Sequence, residues 1–154
     1  MIEGPCYYPS VNAANTTIIY SASGLPYRTE IYAMNMNGTN KRALTSSGPQ
    51  VKRYAKFSPD GTKIVFLGNI EQAYEVFIMN ANGTDIIQLT HHKLTRPFYV
   101  TTRDPVFSKD GKSIYYSSNE LDGKTTQLYK MDIDGTNNTR LTSSGMNKYK
   151  ACVQ

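Results

Sequence analysis

Apolar and polar side chains alternate in three short runs of the chain, and each run ends at the same kind of turn. The runs are built around three pairs of residues: Tyr32 and Met34, Phe77 and Met79, and Tyr129 and Met131. Asn-Gly or Asp-Gly follows each run, and Leu-Thr begins six residues after the glycine. A period of two is typical of a strand with one buried face, and these turn dipeptides favour a type I′ hairpin because both residues tolerate positive φ. The pattern therefore predicts three copies of one β-hairpin.

A second hairpin is predicted ahead of the first one in the later two copies. Residues 57–66 and 107–116 both lead from Phe to an Ile seven positions later, through an Asp-Gly turn. In the first copy, residues 18–21 supply a clear second strand, whereas its partner near Cys6 is degenerate. Each copy is thus predicted to be a meander of four short antiparallel strands. No segment shows helical periodicity over ten residues, so we expect an all-β fold.

The middle copy carries the most complete version of the repeat. Its characteristic residues are Phe57, Ser58, Pro59, Asp60, Gly61, Ile64, Phe66, Phe77, Ile78, Met79, Asn80, Gly83, Leu89 and Thr90. On these residues the chain resembles the TolB-type (WD-like) β-propeller repeat family. The third copy has Lys109 in place of the proline, and the first copy keeps only its second half. The resemblance implies that each copy is one four-stranded antiparallel blade beside a central channel.

The resemblance also implies how the chain is divided. We expect a single repeat domain over residues 1–154, with blade 1 at about 5–46, blade 2 at about 53–91 and blade 3 at about 104–143. Residues 146–154 are predicted to form an extra strand that reaches the neighbouring blade.

A propeller closes with about 4–8 blades, so three blades leave two apolar faces open. We therefore expect a homodimer that completes a six-bladed ring, a symmetry that is common among homo-oligomers. A fragment of a longer propeller and a larger ring are the alternatives. In the dimer, Tyr149 and Cys152 of one chain would lie close to Cys6 of the other.

Composition and charge narrow the classes of partner. The chain has 154 residues and a net charge of +5, but its basic residues are scattered rather than grouped, so we predict no nucleic-acid partner. No apolar run approaches the roughly 18–20 residues of a membrane helix, so no membrane partner is predicted. The first residues lack the regions of a signal peptide, which indicates the cytoplasm, or the periplasm if a leader was removed. The two cysteines form neither a disulfide framework nor a zinc spacing.

The loop of residues 91–103 is the one clear insertion between copies. It contributes His91, His92, Arg96, Phe98, Tyr99 and Arg103, and the equivalent loop of the first unit adds Lys52 and Arg53. Aromatic and arginine side chains are favoured in binding hot spots. These residues predict a positive, aromatic rim suited to an acidic peptide or an anionic sugar. The alternative is that Phe98 and Tyr99 pack beneath the loop.

The residues do not define a reaction. His91 or His92 could bind a metal ion together with Asp104 or Glu75, and exposed loop histidines are the simpler interpretation. We predict no catalytic set and no cofactor. The expected function is a noncatalytic module that binds a protein, a peptide or an anionic ligand through its loop face. Since some TolB-like relatives are polysaccharide lyases, a lyase-like enzyme or a sugar site in the central channel is one alternative. A propeller fragment without independent function is the other.

Overall fold

The computed structural model describes residues 5–25, 28–71, 73–92 and 99–142. These residues form twelve strands: β1 (Cys6–Val11), β2 (Thr17–Leu25), β3 (Arg28–Asn35), β4 (Arg42–Ala43), β5 (Lys52–Phe57), β6 (Lys63–Ile70), β7 (Ala73–Asn80), β8 (Ile87–Gln88), β9 (Thr102–Phe107), β10 (Ser113–Ser118), β11 (Gln127–Asp132) and β12 (Thr139–Arg140). Within these ranges, no helix is long and apolar enough to cross a membrane.

The strands form three separate meanders, each a four-stranded antiparallel sheet. The sheets comprise β1–β4, β5–β8 and β9–β12, which we call blade 1, blade 2 and blade 3. The all-β prediction with three four-stranded blades is therefore confirmed. In each blade the first strand lies at the inner edge and the fourth, only two residues long, lies at the outer edge.

Alternation along the strands gives blade 2 two apolar faces. One face packs against blade 1 and consists of Ile64, Phe66, Phe77 and Met79. The other packs against blade 3 and consists of Val65, Leu67, Val76, Ile78 and Leu89. Blade 2 is therefore the middle layer of the three, and the two blade–blade interfaces are the hydrophobic core.

A stacked aromatic pair recurs at the same cross-strand position in every blade. Tyr20 and Tyr32 have ring centroids 5.8 Å apart, Phe66 and Phe77 5.4 Å, and Tyr116 and Tyr129 5.3 Å. Each pair joins the second and third strands in register. Cross-strand aromatic pairs contribute packing beyond their buried area, so they fix the register of these two strands.

The Leu-Thr motif holds the short fourth strand through a side-chain clasp. The Thr45 hydroxyl accepts the Ile31 N–H at 3.0 Å and donates to Glu30 Oε2 at 2.5 Å. The other blades repeat this arrangement with Thr90 between Val76 and Glu75, and with Thr142 between Leu128 and Gln127. The hydroxyl uses both its donor and its acceptor capacity, which compensates for a strand that is too short to hold itself.

The hairpin turns differ from the predicted type I′ geometry. φ is positive at Gly38, Gly83 and Gly135, but not at the Asn or Asp before them. In the first copy the Gly38 N–H donates to the Asn35 carbonyl at 2.9 Å, and the Asn37 side chain accepts the Thr39 N–H at 3.1 Å. A side chain that satisfies a backbone donor two residues on favours an Asx turn. The left-handed residues of each connection are the glycine and the residue two positions after it: Asn40, Asp85 and Asn137.

The turn glycine of blade 2 also makes a close contact with blade 1. A Cβ at Gly83 would lie 2.4 Å from the Leu44 carbonyl oxygen, whereas a Cβ at Gly61 would meet nothing within 4 Å. The φ values of Gly83 and Gly61 are +94° and +72°, so both positions carry a cost for alanine.

We expect Gly83→Ala to lower the free energy of unfolding by about 2 kcal/mol or more beyond the loss in Gly61→Ala, which is about 1 kcal/mol from backbone strain alone. Urea unfolding of both variants measures the difference. Equal losses would show that blade 2 does not contact blade 1 through this turn.

Candidate functional site

The innermost strands of all three blades carry the same backbone irregularity. The register of pairing with the second strand shifts between Tyr7 and Ser10 in β1, between Arg53 and Lys56 in β5, and between Arg103 and Val106 in β9. One bulky or charged residue in each has positive φ: Tyr8 at 55°, Tyr54 at 56° and Asp104 at 49°. Such residues are uncommon in this region, and bulges of this kind redirect side chains. The strain therefore marks the inner edge of the blades as a candidate functional surface.

Aromatic rings meet at the inner edge between blades 1 and 2. The rings of Tyr8 and Tyr54 have centroids 4.2 Å apart. Burial raises the pKa of Tyr54 to about 12, with smaller contributions from Tyr8 and Asp104, while Arg103 opposes them. The Tyr54 hydroxyl is therefore protonated at neutral pH, and it is hydrogen-bonded to the Tyr8 side chain.

A second aromatic group lies beside it and carries a cation. The Arg53 guanidinium lies 5.7 Å from the centroid of the Tyr74 ring, within cation–π distance. Tyr74 meets Tyr99 edge-on at 6.5 Å, and Asn69 Nδ2 donates to the Tyr99 hydroxyl at 2.7 Å. Backbone pairing of Val100 with Ala73 holds the end of the insertion against β7. Tyr99 is thus ordered by contacts while 45% of it remains exposed.

These residues surround two neighbouring cavities that share Arg53. One, of about 170 Å³, is lined by Arg53, Tyr54, Leu67, Tyr74, Thr101, Thr102 and Arg103. The other, of about 300 Å³, is lined by Tyr7, Tyr8, Ser23, Thr29 and Arg53. We call the two cavities together the Arg53 groove. Within the described ranges, neither Arg53 nor Arg103 forms an ion pair with a carboxylate.

The structure brings together three of the residues predicted for the rim. Arg53 and Arg103 line the groove, and Tyr99 contacts its Tyr74 wall. Arg103 lies on β9 rather than in a free loop, because the strand already begins at Thr102. His91 is exposed. Arg96 and Phe98 lie outside the described residues.

Lys52 does not contribute to an exposed rim, which corrects the sequence-based expectation. Its side chain is fully buried, and Nζ lies 2.7 Å from Glu30 Oε2 and 2.7 Å from the Pro49 carbonyl oxygen. Burial lowers the pKa of Lys52, and the Glu30 carboxylate opposes that shift. The side chain belongs to the Thr45–Glu30 clasp and ties the start of blade 2 to blade 1.

His92 is also buried, contrary to its predicted place on the rim. Its ring nitrogens lie 2.7 Å from Glu75 and 2.8 Å from Glu120, and only 3% of its side chain is exposed. Both carboxylates therefore lie within hydrogen-bond distance of the ring. Burial alone lowers the pKa of His92, but Glu120 and Glu75 together outweigh it and raise the pKa to about 9. The protonated ring therefore joins blade 2 to blade 3.

The clasps carry a sequence signal that composition and motif reasoning missed. Glu30, Glu75 and Gln127 each precede the threonine of Leu-Thr by fifteen residues. In the first two copies a cation follows: Lys52 for Glu30 and His92 for Glu75. Aligning the copies on Leu-Thr would have paired each threonine with its Glu or Gln, whereas the two cations follow at different spacings, seven residues after Thr45 and two after Thr90.

The remaining site predictions concern chemistry and the chain ends. Within the described ranges, no group of three or more His, Cys, Asp or Glu side chains is arranged to hold a metal ion. His92 does meet Glu75, but as an ion pair. Cys6 is exposed on β1. The proposed contacts of Tyr149 and Cys152, and the strand of residues 146–154, lie outside the described residues.

The three stacked meanders, with the Arg53 groove along the inner strands, define an arc of a β-propeller. The chain belongs to the TolB β-propeller family, because the family model described as the TolB beta propeller domain matches residues 9–154. An uncharacterized protein of Agrobacterium fabrum is 25% identical over 117 residues, which cover 76% of this chain and 36% of that protein.

Solved structures agree on the fold. A TolB protein of Agrobacterium tumefaciens matches with a TM-score of 0.79 at 21% identity, over 94% of this chain and 49% of that one. An oligogalacturonate lyase in complex with manganese matches with a TM-score of 0.69 at 15% identity, over 92% of this chain and 43% of that one. The chain therefore spans half or less of the length of these proteins.

The raised pKa of His92 makes the stability of the protein depend on pH. A histidine whose pKa rises from 6.5 to about 9 on folding contributes stability that is fully present below pH 6.5 and is lost as pH rises through 9. The full contribution is on the order of 3 kcal/mol.

We expect the wild-type protein to lose on the order of 3 kcal/mol more stability between pH 6 and 9.5 than His92→Gln, in urea titrations at both pH values. His91→Gln is the matched control, and it should follow the wild type because His91 is exposed. Parallel pH profiles for the wild type and His92→Gln would contradict the ion pair.

Proposed function

We propose that this protein is a noncatalytic propeller module that binds carboxylate-rich, extended ligands in the Arg53 groove, with an acidic peptide segment as the preferred class. The observation that carries the proposal is the pair of guanidinium groups, Arg53 and Arg103, that line one cavity without a carboxylate partner in the described part of the chain. Guanidinium groups bind carboxylates through two parallel hydrogen bonds, which gives both affinity and orientation.

The aromatic walls favour a ligand that lies along the groove. Tyr54 and Tyr74 flank Arg53 on one side, and Tyr7 and Tyr8 extend the surface towards blade 1. Tyrosine supplies a large contact area at low cost in side-chain entropy, together with a hydroxyl donor. The Asp104 carboxylate acts on Tyr54 by raising its pKa, and the Arg103 guanidinium lowers it. The groove therefore combines two cations with one nearby anion, which supports binding of ligands with several negative charges.

We also propose that the module works as a closed ring of six blades formed by two copies of the chain. The support is the difference in length: the structural match covers 94% of this chain but only 49% of the TolB structure from Agrobacterium tumefaciens. A second copy would supply the missing half. It would also border the Tyr7 and Tyr8 end of the groove, which lies in the first blade.

An anionic sugar is the second candidate ligand, with a lyase-like activity on it as the catalytic alternative. The structural likeness to an oligogalacturonate lyase favours this candidate, because oligogalacturonate is a chain of carboxylates and would engage the same two arginines. At 15% identity that likeness concerns the fold alone, so a binding measurement has to distinguish the sugar from the peptide.

We expect Arg53→Gln and Arg103→Gln each to weaken binding of a fluorescein-labelled hexaglutamate peptide by about 10- to 100-fold, because each loses a charge-assisted hydrogen bond. Fluorescence anisotropy measures the dissociation constants. Titration with oligogalacturonate in the same assay separates the peptide from the sugar. Release of unsaturated sugar products would indicate the lyase.

The matched controls are Arg42→Gln and Arg140→Gln, exposed arginines on the outer strands β4 and β12 that remove the same charge. Equal weakening by the controls would show that only net charge attracts the peptide. Binding of hexaglutamine as tight as that of hexaglutamate would also contradict the proposal.

A further inference from the structure

Each blade carries the same four-residue docking face on its second and third strands. In blade 2 this face is Ile64, Phe66, Phe77 and Met79, and in blade 3 it is Ile114, Tyr116, Tyr129 and Met131. All eight residues are at most 5% exposed, because each face packs against the blade before it. The same four positions therefore form the contact with the preceding blade at both the blade 1–blade 2 and the blade 2–blade 3 interface.

Blade 1 carries the same face, and no described residue packs over it as a blade. Its members, in the same register, are Ile18, Tyr20, Tyr32 and Met34, of which Tyr20 is 5% exposed and the other three are half-buried. A largely apolar cavity of about 210 Å³ opens there, and Ile18, Tyr20 and Met34 line it together with Cys6, Tyr7, Pro9 and one charged residue, Lys41. The repeat has kept Ile, two aromatic residues and Met at this face, which is the composition that the other two blades use for docking.

A second contact also recurs at the two interfaces, between the turn glycine of one blade and the leucine of Leu-Thr in the blade before it. Blade 1 has this glycine without a leucine partner in the described residues, and blade 3 has this leucine without a glycine partner there. At Gly83 a Cβ would lie 2.4 Å from the Leu44 carbonyl oxygen, and at Gly135 a Cβ would lie 3.1 Å from the Leu89 carbonyl oxygen. Leu44 and Leu89 are each only 7% exposed. At the equivalent Gly38 nothing lies within 4 Å, and the equivalent Leu141 is 48% exposed.

We propose that the open face of blade 1 receives blade 3 of a second copy, with Gly38 of one chain against Leu141 of the other. This inference rests on the proposed dimer and adds which faces meet and in which register. Two features point to a copy of the same chain: the unmatched glycine and the unmatched leucine belong to the two ends of one arc, and the arc covers 49% of the TolB structure from Agrobacterium tumefaciens. A two-fold axis would then form two identical blade 3–blade 1 interfaces.

The closing interface is more polar than the two internal ones. On blade 3 the positions equivalent to Val65, Leu67, Val76 and Ile78 are occupied by Tyr115, Ser117, Leu128 and Lys130. A lysine can cover apolar surface with its stem while its ammonium group stays in water. The copies should therefore separate at lower denaturant concentration than the blades of one chain unfold.

The experiment measures the mass of the full chain in solution, without ligand, by size-exclusion chromatography with light scattering. We expect about twice the chain mass of 17.2 kDa. Gly38→Asn should weaken the dimer at least tenfold by blocking the contact, since asparagine tolerates positive φ but adds a side chain. Gly61→Asn is the matched control: its φ is +72° against +80°, its surroundings are equally open, and it lies in the middle blade.

The opposite side is tested by Leu141→Asp, with Ile87→Asp as its control on the outer strand, where Ile87 is 55% exposed. We expect a tenfold or greater loss for Leu141→Asp alone, and circular dichroism should show that the variants remain folded. A single-chain or three-chain mass for the wild type would overturn the ring of two copies. A dimer that both Gly38→Asn and Leu141→Asp leave intact would overturn this interface only. Neither result depends on the hexaglutamate measurements, which test the groove separately.

Discussion

The structure depends on the burial of two apolar faces on each sheet. Alternation places one apolar set on each side of blade 2, and both sets are covered only because a blade lies on either side. An isolated four-stranded meander of this composition would expose both of these sets to water, which is the condition that sheet layers avoid. The stability of the arc therefore depends mainly on the contacts between neighbouring blades rather than on contacts within one blade. The same constraint makes the outer faces of blades 1 and 3 the most informative surfaces of the molecule.

Buried charges define how neighbouring blades align. Lys52 reaches from blade 2 to Glu30 in blade 1, and His92 reaches from the end of blade 2 to Glu120 in blade 3. A buried charge is costly unless it is paired, so a blade that shifted along its neighbour would leave these carboxylates uncompensated. Apolar faces alone tolerate such a shift, because their contacts are not directional. The clasps therefore add registration to an interface whose attraction comes from hydrophobic burial.

The fold could be predicted from the sequence because the same three signals occur in each copy: alternating apolar residues, a turn glycine and Leu-Thr. Prediction was less successful for the site, and the reason is visible in Lys52 and His92. Both are polar residues in a connecting segment, where exposure is the usual expectation, and only the three-dimensional position of Glu30 and Glu75 shows that they are buried partners. The bulges at Tyr8, Tyr54 and Asp104 were likewise invisible, since no side-chain pattern signals a positive φ at a tyrosine. Arg53, Tyr99 and Arg103 do lie at the groove, and their role in binding stays a prediction that rests on the enrichment of aromatic and arginine residues in binding hot spots.

The position of the Arg53 groove follows from how the two edges of a blade are built. The outer strands are two residues long and are held by threonine clasps, so they offer few side chains and little depth. The inner strands are longer, and their bulges interrupt the pairing with the second strand. A residue released from regular pairing can point along the edge of the sheet rather than into a face that a neighbouring blade must cover. Strain at Tyr8, Tyr54 and Asp104 costs folding free energy at three equivalent places, and it is tolerated because the blade interfaces over-determine the backbone there. A scaffold whose faces are committed to packing can thus present a ligand site only at its edges, and the inner edge is the one with enough chain to form it.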